Sequence, residues 1–198
     1  LIITYNQYWN VDDFTFETSL KNNSPGTACP QVRIIIHAID NAILFPLSDT
    51  YCVGDLSITA LGKNVESKYE DLSKFGVELN NWNKVKVVGK DRLLYFYVNN
   101  TLAYTLKHDL KPLQLVGLQV RFNGEIAVKE AEFSNKAHSI RLKWFVLVGP
   151  EQQTITWLVH FCKHTTNGIN LLSVIRLAIE NKGKGTILRP AWFTIRWK

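Results

Sequence analysis

Residues 82–106 read WNKVKVVGKDRLLYFYVNNTLAYTL, and residues 115–133 read LVGLQVRFNGEIAVKEAEF. Apolar and polar residues alternate with a period of two in both stretches. Breakers fall between the alternating runs at Gly89, Asn99-Asn100 and Asn123-Gly124. A period of two is the signature of half-buried strands, because successive side chains of an extended chain point to opposite faces. Residues 93–98 and 102–106, joined through Asn99-Asn100, form a predicted hairpin, since Asn tolerates the positive φ that a two-residue turn requires.

The same pattern extends toward the N-terminus. Strands are predicted over residues 14–20, 31–39, 42–47 and 56–61, with a turn at Asp40-Asn41 and a loop at Asn22-Asn23-Ser24-Pro25-Gly26. Pro46 puts its end of a strand at a sheet edge or exit, because it cannot donate to a ladder. Residues 63–81 are polar and read as a long loop with at most one short helical turn. About ten short strands with frequent turns give an all-β protein, an antiparallel β-sandwich of the jelly-roll kind.

The chain has 198 residues, 46% hydrophobic and 20% charged, enough to bury a full core in one domain with an appendage. It has no apolar run of 18 residues, so no membrane span is expected in this segment. It begins at Leu1 and contains no Met, which reads as a segment of a longer protein. The formal net charge of +6 is unevenly spread. Residues 1–135 carry 13 Lys and Arg against 15 Asp and Glu, whereas residues 136–198 carry 10 against 2. This shift places a boundary near Asn135, with residues 1–135 as the sandwich and 136–198 as a basic, aromatic-rich extension of mixed α/β or poorly ordered character. Within the extension, strands are predicted over residues 140–148 and 155–162. An amphipathic helix is predicted over 169–181, capped by Asn170 and stopped by Gly183. Basic charge among Trp144, Trp157, Trp192 and Trp197 is the footprint of nucleic-acid binding. No matching motif accompanies it, so nucleic acid is not the expected partner.

The order Trp82, Val85-Lys86-Val87-Val88-Gly89, Tyr95-Phe96-Tyr97-Val98-Asn99-Asn100 resembles the concanavalin A-like lectin/glucanase, or laminin-G-like, group. Residues 117–124 and 127–133 match its later strands, YWNVDDFTFETSLKNN its first long strand, and Gly54-Asp55-Leu56-Ser57 an inner one. The likeness covers about residues 5–135 and is strongest to modules of bacteroidete-type bacterial surface proteins. It implies an extracellular, cell-surface or periplasmic protein with a non-catalytic binding role. Carbohydrate is the first ligand class. A protein-interaction or structural module is the alternative, and a degenerate glycoside hydrolase comes third.

Hydrolases of that group carry ExDxE-type runs, which place two carboxylates around the scissile bond. No such run occurs here. Glu130 and Glu132 share a predicted strand face with no Asp between them, and read as a solvated edge. Neither a GxSxG elbow nor a Gly-rich phosphate loop is present; Lys182-Gly183-Lys184-Gly185-Thr186 follows a helical pattern rather than preceding one. No cofactor is expected. Calcium would take oxygen ligands from Asp12-Asp13 or from Asp49 and Asp55, but acidic residues at fixed offsets are missing. His160, Cys162 and His164 alternate on one predicted strand face without the spacing of a closed zinc site. Cys29 and Cys52 flank a hairpin, a spacing that permits a disulfide in an exported protein and equally two buried thiols.

Alternation also sorts faces. Phe14, Phe16, Val32, Ile34, Ile36, Leu94, Phe96, Val98, Val116, Leu118, Val120 and Phe122 are the predicted core. Their neighbours Glu17, Arg33, His37, Tyr95, Tyr97, Gln119 and Arg121 then face outward and form the candidate ligand surface. Tyr rings stack on sugars, and Arg, Gln and Glu hydrogen-bond hydroxyls. The plainer reading is a polar outer face in which Tyr is enriched by β-propensity. A second aromatic cluster, Tyr5, Tyr8 and Trp9, reads more simply as packing of the first strand.

Overall fold

A computed structural model describes residues 10–23, 28–109, 114–122, 125–136, 139–142, 145–148, 153–159, 175–180 and 187–188; the strands after residue 136 are described by their register. The strands are β1 (Asp13–Asn23), β2 (Gln31–Ala38), β3 (Asn41–Asp49), β4 (Ser57–Ala60), β5 (Lys63–Glu66), β6 (Gly76–Val77), β7 (Asn83–Lys90), β8 (Leu93–Val98), β9 (Thr101–Lys107), β10 (Leu115–Phe122), β11 (Glu125–Ser134), β12 (Ser139–Leu142), β13 (Phe145–Val148), β14 (Gln153–Val159), β15 (Ile175–Glu180) and β16 (Ile187–Leu188). Short 3-10 turns lie at Thr50–Asp55 and Ser73–Phe75.

These strands form two eight-stranded sheets. The first runs β16-β13-β11-β1-β7-β8-β9, with β12 also on β11. The second runs β15-β14-β10-β2-β3-β4-β5, with β6 on β3. Pairing among the described strands is antiparallel except between β3 and β6. The expected all-β antiparallel sandwich is therefore what the chain builds.

Its core follows directly from the alternation. β1 buries Phe14, Phe16, Thr18, Leu20 and Asn22 in strict sequence. Phe45 of β3 meets Phe96 of β8 at 5.7 Å between ring centroids, and Phe75 at 5.4 Å. This aromatic contact joins the two sheets, which share one core cluster. Of the predicted core, every residue is buried except Val116, whose side chain lies outside the described set.

Turns follow the chemistry read from the sequence in some places and depart from it in others. Asn99 and Asn100 both take positive φ (48° and 67°), as a type I′ hairpin demands. Asp91 and Arg92 do the same between β7 and β8, with φ of 53° and 61°. The Arg92 amide donates to Asp12 Oδ1 at 3.0 Å, which holds this less favourable turn in place. Pro46 pairs with Arg33 of β2. On its other side β3 is bonded to β4 only at Ile43 and Leu44, and to β6 only at Ser48 and Asp49. The proline thus sits in the gap where no donor is needed.

Two expectations change. The amphipathic pattern over 169–181 is a strand where the chain is described: β15 pairs antiparallel with β14 from Ile175↔Val159 to Glu180↔Thr154. The run Ile175-Arg176-Leu177-Ala178-Ile179-Glu180 also alternates with period two, and a neighbouring ladder selects that period over 3.6. The stretch 63–81 is more than a loop, since it contains β5, β6 and the buried Leu72, Phe75, Val77 and Leu79. Beyond residue 136, β12, β13 and β16 extend the first sheet, while β14 and β15 extend the second.

Cys29 and Cys52 form a disulfide with Cα atoms 5.6 Å apart. It ties the entry to β2 to the 3-10 turn after β3, across a separation of 23 residues. Closing a loop of that length restricts the unfolded chain by about 3 kcal/mol. Reduction, or Cys52→Ala, is expected to lower Tm by about 6–12 °C at this chain length, read by calorimetry with and without reductant. An unchanged Tm would mean the thiols are not joined in solution.

Candidate functional site

The seven outward candidates do not form one surface. Glu17 (β1), Tyr95 and Tyr97 (β8) lie on the outer face of the first sheet. Arg33 and His37 (β2), with Gln119 and Arg121 (β10), lie on the outer face of the second. The core separates the two groups. Alternation tells inside from outside, but not which sheet a strand joins, and that choice depends on long-range pairing.

The first face is organised around β7 and β8. Register places Tyr97 beside Lys86, Tyr95 beside Val88, and Lys86 beside Glu17. On the far side of β8, Tyr97 neighbours Leu102, which is 41% exposed, and Tyr95 neighbours Thr105. Two half-exposed tyrosines two residues apart on one strand thus make a short aromatic strip bordered by polar groups. Lys86 Nζ lies 5.7 Å from the Tyr97 ring centroid. Lys84 Nζ lies 2.7 Å from Glu17 Oε1.

Trp82 extends this face, although the sequence marks it only as part of the family resemblance. It is 36% exposed, with Lys129 Nζ 4.4 Å and Lys21 Nζ 5.5 Å from its ring. The neighbouring Asn83 is buried and fixes the local backbone. Its Nδ2 donates to the Glu78 and Asn81 carbonyls at 2.9 Å, and its Oδ1 accepts from Asn99 Nδ2 at 3.0 Å. The entry to β7 and the β8–β9 turn are therefore locked together, and the β7–β8 strip inherits that rigidity.

A β-bulge alters the carboxylates. Glu17 pairs with Glu132 and Ser19 with Lys129, so Thr18 faces two residues of β11. Glu130 takes φ of 55° inside the bulge, and Thr18 Oγ1 donates to the Lys129 carbonyl at 3.1 Å. Glu130 is exposed and Glu132 half-buried on either side of the buried Ala131. Glu132 also stands directly opposite Glu17. No sequence spacing could have shown this pair, because its members are more than a hundred residues apart.

On the second face, His37 Nε2 lies 3.2 Å from Gln119 Oε1. Arg33 donates through Nε and Nη2 to Gln31 Oε1 at 3.3 and 2.9 Å. Ile35 is 5% and Gln119 9% exposed, so this face is not an open polar surface throughout. Burial lowers the His37 pKa from its ordinary value of 6.5; the Gln119 bond opposes this and the Arg121 charge adds to it. The folded protein thus favours neutral His37. The associated stability is complete above the unfolded value and declines as pH falls below 6.5 toward the lower folded value. The Tm of the wild type is expected to fall relative to His37→Gln between about pH 7 and 5. Parallel curves across that range would contradict the assignment.

Two of the calcium candidates, Asp12 and Asp49, serve the fold. Asp12 Oδ1 takes the Arg92 amide and stands 3.1 Å from Nε2 of the fully buried His108, and Asp49 Oδ1 accepts from the Thr50 amide at 2.9 Å. Among the described residues no group of three or more His, Cys, Asp or Glu is placed to hold a metal ion, and no helix is long and apolar enough to cross a membrane. Tyr5, Tyr8, Trp9, His160, Cys162, His164 and residues 182–186 lie outside the described set. No protein-family model matches the chain, and no curated protein matches it.

Proposed function

We propose that this chain is a non-catalytic carbohydrate-binding module of the concanavalin-like kind, and that its ligand lies on the outer face of the first sheet. The observation that carries this reading is the Tyr95–Tyr97 strip on β8, bordered by Lys86, Glu17 and Lys84. Sugar rings present C–H faces that stack on aromatic rings, and their hydroxyls accept from ammonium groups and donate to carboxylates. Both kinds of group are side by side here on a regular strand pair. The disulfide supports an oxidising location, outside the cell or in the periplasm.

A glycoside-hydrolase reading draws on one observation, the directly opposed Glu17 and Glu132. Hydrolysis needs one carboxyl to act as an acid while the other stays ionised. The Lys84 ammonium beside Glu17 favours reading that carboxylate as an ion-pair member instead. A glycan array probed with wild type and with the Tyr95→Ala/Tyr97→Ala double variant tests the proposal. The wild type is expected to retain a defined set of glycans and the folded double variant to lose them. Release of reducing ends from a bound glycan, abolished by Glu17→Gln, would transfer support to the hydrolase reading. No glycan bound at all would leave a protein partner as the better account.

A further inference from the structure

We infer that the outer face of the second sheet holds a binding site for a tetrahedral oxyanion, sulfate or phosphate, between Arg33 and Arg121. The inference does not depend on the carbohydrate reading, which concerns the opposite face. β2 and β10 pair so that Arg33 and Arg121 are direct register partners. Their flanking residues Val32, Ile34, Val120 and Phe122 all point into the core, so both guanidinium groups are on the outer face, and both residues are exposed.

Like charges directly opposite one another on a sheet are destabilising. Such a pair is usually relieved by a carboxylate beside it. None stands at the directly adjoining outward positions: β2 presents Gln31, Arg33, Ile35 and His37; β3 presents Ala42, Leu44 and Pro46; β10 presents Gly117, Gln119 and Arg121; and β14 sets Thr154 in register with Arg121, with Glu180 of β15 one strand further along the row. Among the described residues, neither arginine makes an ion pair.

Arg33 is already oriented. Its Nε and Nη2 both donate to Gln31 Oε1, which fixes the plane of the guanidinium and leaves further N–H groups to donate. Arg121 is close enough for its charge to act on His37, itself held to Gln119. An oxyanion bridging the two guanidinium planes would receive charge-assisted hydrogen bonds from both and cancel their repulsion. The described outward positions of this face carry no Tyr, Trp or Phe, so it lacks the stacking groups that a single-stranded nucleic acid requires.

The test is thermal denaturation and NMR titration with sodium sulfate and, separately, sodium phosphate, each against sodium chloride at matched ionic strength. Saturable stabilisation above chloride is expected, with resonance shifts at Arg33, Arg121 and His37; the tighter of the two salts shows which oxyanion the site prefers. Arg121→Gln and Arg33→Gln are each expected to weaken binding about tenfold. Arg92→Gln, on a distant turn, should bind like wild type. In chloride alone the two β-strand variants should be as stable as wild type or slightly more so, because repulsion is relieved. The inference is overturned if sulfate and phosphate act no differently from chloride, or if both variants respond like wild type. It is equally overturned if both variants lose stability in chloride, since the arginines would then serve the fold.

Discussion

Gly89→Ala is expected to cost about 3 kcal/mol or more, lowering Tm by roughly 6–12 °C or preventing recovery of folded protein. Gly89 is buried in β7, opposite Phe14 of β1 and Leu94 of β8. A Cβ there would run into the Val11 carbonyl oxygen and the Phe14 ring, far inside van der Waals contact. The backbone of residues 10–13 passes directly over this position, and Val11 is fully buried. A flexible side chain could swing aside at modest cost, but a backbone carbonyl cannot. Gly54→Ala is the control, because nothing lies within 4 Å of its added Cβ. Calorimetry of both variants checks the claim, and equal melting of the two would show that residues 10–13 do not cross the sheet at Gly89.

Phe96→Ala is expected to cost about 3–5 kcal/mol, the range for removing a large buried aromatic. Phe96 is fully buried at the middle of the sandwich, 5.7 Å from Phe45 and 6.4 Å from Phe75. Truncation would remove the side chain through which β8 meets the opposite sheet and leave a cavity between two layers that cannot collapse independently. Tyr97→Ala, one residue away on the outer face, is expected to cost less than about 1 kcal/mol, as surface substitutions do. Urea denaturation of the pair therefore measures the alternation directly. Similar losses in both variants would contradict the assignment of their faces.

The period-two pattern makes most of the core legible in the amino-acid sequence. Phe14, Phe16, Ile34, Ile36, Leu94, Phe96 and Phe122 are buried where alternation puts them. The hairpin at Asn99-Asn100 is equally legible, because turn chemistry is local. Sheet membership is not. Tyr95 and Arg121 both read as outward, and alternation alone groups them on one surface. Yet β8 pairs with β7 and β9, while β10 pairs with β2 and β14. Nothing in a strand's own residues encodes that difference. The bulge at Glu130 is hidden for a related reason. It shifts the buried phase from Ile126 and Val128 to Ala131, and a glutamate at positive φ gives no local warning. Residues 175–180 fit both a helical and a strand period, and the partner strand β14 decides between them.

Tyr95 and Tyr97 are the proposed sugar-binding surface. The most direct measurement is isothermal titration of the array's best glycan into wild type, Tyr95→Ala and Tyr97→Ala, with Arg121→Gln as the variant of the opposite face. Wild type is expected to bind with Kd between about 10 µM and 1 mM. Each tyrosine variant should bind about tenfold more weakly while remaining folded, through loss of a stacked ring. Arg121→Gln should match wild type for an uncharged glycan. Unchanged affinity in both tyrosine variants would contradict the account.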